Sequence, residues 1–118
     1  MLGWCDMAIN SKKKGKRGEL ELAELIREHG FESAKRSQQY CGSNGDADII
    51  DALPGIHIEC KRVERLNIHE AMEQADRDCG ENIPAVFHRR NRTPWLVTMH
   101  VADFMSLYNG EHLMQEKN

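Results

Sequence analysis

No stretch of the sequence approaches the roughly 20 consecutive apolar residues that a membrane-spanning helix needs, and no secretory signal is visible. No contact with a membrane is therefore expected, and a cytoplasmic location is the default. The four cysteines, Cys5, Cys41, Cys60 and Cys79, lie far apart and form no Cys-x-x-Cys pair. That spacing suggests neither a zinc site nor a disulfide framework, and points to reduced thiols, some buried as small hydrophobes. No internal repeat is present, so solenoids and arrays are not indicated. A basic surplus is missing as well: the formal charge is -3. The sum argues against a nucleic-acid partner, but the distribution matters more.

The 118 residues, 40% hydrophobic and 30% charged, suffice for one small domain with a single core. Within them the cations are clustered. Lys12, Lys13, Lys14, Lys16 and Arg17 form a block without an acid; Lys61, Arg62 and Arg65 form a second, and His88, Arg89, Arg90 and Arg92 a third. Such clusters suit a phosphate backbone, whose counterions are released on contact. A solvated basic face or a flexible tail is the competing explanation.

The chain is organised around the stretch from Asp46 to Lys61. Two apolar, β-branched segments, 47–52 and 56–60, flank Leu53-Pro54-Gly55, a turn signal that predicts a β-hairpin. Alternation along the second strand puts Glu59 and Lys61 on one side and Ile58 and Cys60 on the other, toward a core. Pairing around the turn brings Asp48 alongside Glu59. Two carboxylates and an ammonium then converge, a donor set that suits a hard divalent cation such as Mg²⁺. Lys61 beside it would hold a water or neutralise charge developing on a phosphate. The alternative is a surface hairpin with solvated acids and a salt-bridging lysine.

Around this hairpin, residues 1–10 read as a mobile leader with Met7 as an alternative start, and 11–18 as a lysine- and glycine-rich linker. Residues 1–13 make up the flexible basic leader, 14–109 the single domain and 110–118 a frayed tail. Helix is predicted over 19–29, where Leu20, Leu22, Ala23, Leu25 and Ile26 form a stripe ended by Gly30. Glu19, in its first turn, either complements the helix dipole or supplies a third acidic group to the metal. A short strand follows over 31–37, then a polar loop over 38–45 placed to touch substrate. A second helix over 67–78 is capped by Asn67 with Glu70 three residues on; its Gln74 is either a surface amide or points back toward the site. Strands over 83–88 and 95–100 and a closing helix over 103–108 complete the order α-β-β-β-α-β-β-α. The expected fold class is α/β, a mixed β-sheet flanked by helices.

A glutamate in the first helix, Asp48-Ile49-Ile50 opening one strand, Ile58-Glu59-Cys60-Lys61 in the next and a helix thereafter resemble the PD-(D/E)XK nuclease superfamily. Lys14-Gly15 to Gly18-Glu19 and Leu22 to Phe31 look most like archaeal-type Holliday junction resolvases and small phage-encoded relatives. The resemblance covers Lys14 to Asp78 and extends more weakly through Val86 to Arg90. It implies a restriction-endonuclease-like fold and a metal-dependent endonuclease acting on DNA, branched or four-way, as a homodimer, in a bacterial, archaeal or phage-infected cell. It further implies that Asp48 and Glu59 ligate Mg²⁺ or Mn²⁺, with the Cys60 backbone carbonyl as a third ligand. Lys61 then assists the attacking water, Glu19 completes the metal environment, and Gln74 matches a glutamine found after Glu-x-Lys in some branches. Arg36 matches a phosphate-touching residue, and Lys14, Lys16, Arg17, Arg62, Arg89 and Arg90 are the further DNA contacts expected. Two positions depart from the pattern: Ala47 stands where the motif's name has proline, and Arg36 is offset by one residue from Gly30-Phe31. A restriction-like or flap-type nuclease, or an inactive DNA-binding module, are the alternatives.

Overall fold

The computed structural model describes residues 2–37 and 47–110, with side chains over 15–37 and 47–110. The elements are α1 (Leu2–Glu28), β1 (Lys35–Arg36), β2 (Ile49–Ile50), β3 (Ile56–Arg62), α2 (Ile68–Asp78), β4 (Ile83–Arg89), β5 (Leu96–Thr98) and α3 (Val101–Asn109). Their order is the one expected, and the α/β class holds. No helix among the described residues is long and apolar enough to cross a membrane. The substrate loop expected over 38–45 and the tail over 111–118 lie outside the described residues.

The five strands form one mixed sheet in the order β1-β2-β3-β4-β5. β1 to β3 pair antiparallel, β3 and β4 pair parallel across the α2 connection, and β5 returns antiparallel along β4. On one face Leu22, Ala23 and Ile26 of α1 pack with Ile49, Ile58 and Cys60. On the other, Ala71, Met72 and Ala75 of α2 pack with Val86. Glu59 stands beside Val86 in the parallel register, so it shares the α2 face.

The β2–β3 turn follows from its sequence. Ile56 N–H bonds Leu53 O at 3.1 Å, Pro54 supplies the fixed φ of the first central position, and Gly55 at φ 82 supplies the positive φ of a type II turn. Asn67 caps α2, its side chain accepting the Glu70 N–H at 3.1 Å.

Three boundaries need correcting. The stretch read as leader and linker is helical: α1 begins at Leu2 and runs through to Glu28. Lysine and arginine are good helix formers, and Gly15 and Gly18 cost only about 1 kcal/mol each against alanine. Gly18 has a packing reason to be there, since a Cβ on it would lie 2.4 Å from Arg62 Cβ. β2 is shorter than its apolar run because Asp51 takes a left-handed conformation, φ 54, that breaks the ladder. β1 is likewise confined to Lys35–Arg36: Ala34 N–H bonds Phe31 O in a turn, which leaves Phe31 exposed ahead of the strand.

Candidate active site

The β2–β3 register decides the site. Ile49 opposes Ile58, which sets Asp48, one residue earlier, against the Ile58–Cys60 stretch of β3. The Asp48 N–H bonds Ile58 O at 2.9 Å. Beyond that point the Asp48 carboxylate does what a strand carbonyl would otherwise do, accepting the Cys60 N–H on Oδ2 at 2.8 Å. The aspartate is therefore held by the backbone of the strand that carries Glu59 and Lys61.

Glu59 is 2% exposed, beneath α2. A carboxylate taken so far out of water requires partners. His57, two residues earlier on the same face and 3% exposed, places Nε2 2.7 Å from Glu59 Oε1. Crowding of acids acts on Asp48. Burial raises its pKa from the ordinary 3.8 to about 7; the neighbouring Glu59 and Glu19 carboxylates push the same way, and the Cys60 N–H opposes them.

Lys61 faces α2, and its Nζ donates to Gln74 Oε1 at 3.0 Å. Gln74 is thereby one of the groups around the lysine rather than a plain surface amide. Beside them runs a groove of ≈ 480 Å³ lined by Lys61, Arg65, Gln74 and Arg77, with Glu70 and Glu73 on its rim. Glu19 reaches the cluster from α1 and is held by Arg36 of β1, whose Nε and second guanidinium nitrogen lie 3.1 and 3.0 Å from Glu19 Oε1. Cys60 turns its thiol into the α1 core, and burial pushes the thiol pKa up, so the side chain stays protonated. Any ligand from Cys60 has to be its backbone.

Among the described residues no group of three or more His, Cys, Asp and Glu is arranged as a ready-made metal cage. Two carboxylates crowded together, one of them with its pKa raised to about 7, nonetheless match what a divalent ion relieves. Mg²⁺ is characteristically held by one or two carboxylates, with waters and phosphate oxygens completing the octahedron. The donor chemistry fits such an ion.

The expected DNA-contacting cations divide. Lys16, Arg17 and Arg90 are exposed. Arg36 is paired with Glu19, Arg62 donates to Asn91 Oδ1 at 2.9 Å, and Arg89 is bound to Glu21. Lys14 lies outside the described side chains. Sequence reasoning missed two features. One is His57, which period-2 spacing from Glu59 would have placed on the same face. The other is the Glu21 carboxylate, which receives both Arg89 and Trp95 Nε1–H, the latter at 3.0 Å; residues 68 and 74 positions apart leave no local signal.

No curated protein and no solved structure matches the chain. A family model does: the one described as "Phage putative PDDEXK endonuclease" matches residues 10–117.

Proposed function

Since the chain belongs to this phage PDDEXK endonuclease family, we propose that it is a Mg²⁺- or Mn²⁺-dependent DNA endonuclease that cuts four-way junctions. The observation that carries the site assignment is the convergence of Asp48, Glu59 and Lys61, tied by the Asp48–Cys60 and Lys61–Gln74 hydrogen bonds. Asp48 and Glu59 would hold the ion, with the Cys60 carbonyl and Glu19 completing its surroundings. When bound, the ion lowers the pKa of a water and neutralises charge on the scissile phosphate.

The protein's own residues do the rest. Lys61, oriented by Gln74, presents an ammonium toward the side where a water attacks, holding that water and balancing negative charge as it builds on the phosphate. Arg36, fixed on Glu19, keeps that carboxylate at the edge of the cluster. Exposed Lys16, Arg17 and Arg90 offer cations to the DNA backbone, with Arg36, Arg62 and Arg89 able to join once phosphates compete with their present partners.

Cutting two opposed strands needs two sites, and the described residues of one chain form one candidate, so the functional form is a two-fold homodimer. A surface favours this. α3 buries none of its residues; Val101, Phe104, Leu107 and Tyr108 are exposed, as are Leu96 and Val97 on the edge strand β5. An apolar patch of this kind is characteristic of an interface.

The test is cleavage of a labelled four-way junction and a matched linear duplex with Mg²⁺, by wild type, Asp48→Ala and Lys61→Ala. Paired, symmetric incisions in the junction alone, lost in both variants, are expected. Equal cutting of the duplex would replace the junction enzyme with a restriction-like nuclease, preference for a flap would make it a flap nuclease, and binding without cutting would leave a DNA-binding module.

A further inference from the structure

Glu59 is the central carboxylate of the cluster, and what orients it is His57. The two side chains lie on one face of β3, are 3% and 2% exposed, and meet at 2.7 Å between Nε2 and Oε1. Lys61, the other polar group on that face of β3, has its ammonium on Gln74. His57 precedes Glu59 on the strand, on the side of the Pro54-Gly55 turn, and the Asp48 carboxyl is a close electrostatic neighbour of Glu59. The buried carboxylate thus has the imidazole as its hydrogen-bonding partner.

We propose that His57 is a positioning residue for divalent-cation binding, donating Nε2–H to Glu59 Oε1 and so fixing the carboxylate's rotamer and direction. This rests on the reading of Glu59 as a metal-holding group. The physical reason lies in the glutamate's length. Three rotatable bonds separate its carboxylate from the backbone, and each must be frozen for an ion that demands near-octahedral geometry. A buried imidazole on a central strand restricts them before the ion arrives. Outer partners of ligating groups act in this way, and their loss typically weakens metal affinity about 10–100-fold. Removing the imidazole also takes a partner from a buried carboxylate and destabilises the fold, so metal affinity has to be read beside metal-free melting.

The test is calorimetric titration of the full chain with Mn²⁺, alongside thermal melting without metal, for wild type, His57→Leu, His57→Gln and Glu59→Gln. His57→Leu, which keeps apolar volume but has no donor, is expected to weaken Mn²⁺ binding about 10–100-fold. His57→Gln puts an amide N–H2 where Nε2 was and is expected to stay within about threefold of wild type, because the donor is restored. If His57→Leu does not fold, His57→Asn takes its place: its shorter arm falls short of Glu59, and it is expected to bind more weakly than His57→Gln. Wild-type affinity in a folded His57→Leu or His57→Asn, with binding lost in Glu59→Gln, overturns the role of His57 and leaves the site reading standing. Undiminished binding by Glu59→Gln overturns the site reading itself, and this proposal with it.

Discussion

The Asp48 carboxylate accepts the Cys60 backbone N–H at 2.8 Å, so the residue just ahead of β2 is fastened to the strand carrying Glu59 and Lys61. Its position does not depend on a long side chain finding its way. The cost of the arrangement is electrostatic, and it makes Asp48 sensitive to pH.

With a pKa raised from 3.8 to about 7, the folded, metal-free protein holds a proton on Asp48 that the unfolded chain has released. The resulting penalty is absent below 3.8 and fully present above about 7, so stability falls as pH rises through that window. Asp48→Asn keeps an oxygen for the Cys60 N–H and removes the charge. It is expected to be more stable than wild type at pH 8 by about 1 kcal/mol or more, with the difference vanishing near pH 4, as read from urea melts at both values. On the proposed role of Asp48, a bound metal would displace that proton, and Mn²⁺ affinity of the wild type should rise with pH up to about 7 and then level off.

Lys61 and Gln74 should be separable by rate and stability. Lys61→Ala is expected to lower single-turnover cleavage by about 100-fold or more, and Gln74→Ala, which leaves the ammonium present but unguided, by about tenfold. Neither group is in the apolar core, so melting temperatures of both variants should stay near wild type.

Gly18 permits α1 to approach β3. In Gly18→Ala the new Cβ would meet Arg62 Cβ at 2.4 Å, and helix or strand must shift. Despite the better helix propensity of alanine, the variant is expected to lose about 1–3 kcal/mol, measured as a lower urea midpoint with an unchanged m value.

Glu21 ties α1 to β4 through Arg89 and to the segment ahead of β5 through Trp95. Glu21→Ala leaves a part-buried guanidinium and an indole N–H without their acceptor, at an expected cost of about 1–3 kcal/mol. Trp95 fluorescence should shift to the red in the folded variant, while metal binding should be unaltered.

The exposed face of α3 and β5 gives the oligomeric prediction. Phe104→Asp with Tyr108→Ser is expected to convert a dimer into a monomer by light scattering after gel filtration, with junction cutting reduced to single, unpaired nicks. A dimer that persists would place the interface elsewhere.

Much was legible in the chain because the relevant physics is local. Pro54-Gly55 dictates a type II turn, strand alternation puts Glu59 and Lys61 on one face, and pairing around the turn brings Asp48 alongside the Glu59 region. The apolar stripe of Leu22, Ala23 and Ile26, the Asn67 cap and the order of elements follow from the same short-range rules. Local rules also explain the misses. Glycines at 15 and 18 signal a linker when read alone, and only the close approach of Arg62 shows why a glycine inside a helix is useful there.

Tertiary packing decided the rest. Whether Glu59 is a solvated acid or a buried one depends on α2 crossing back over its face, and that crossing is also what carries Gln74 to Lys61. The pairing of Arg36 with Glu19, and of Arg89 and Trp95 with Glu21, joins residues 17 to 74 positions apart. Sequence by itself determined the strand, the turn and the charges placed on them. The fold determined which of those charges lost their water, and desolvation is what turns an ordinary aspartate into a group that titrates near neutrality.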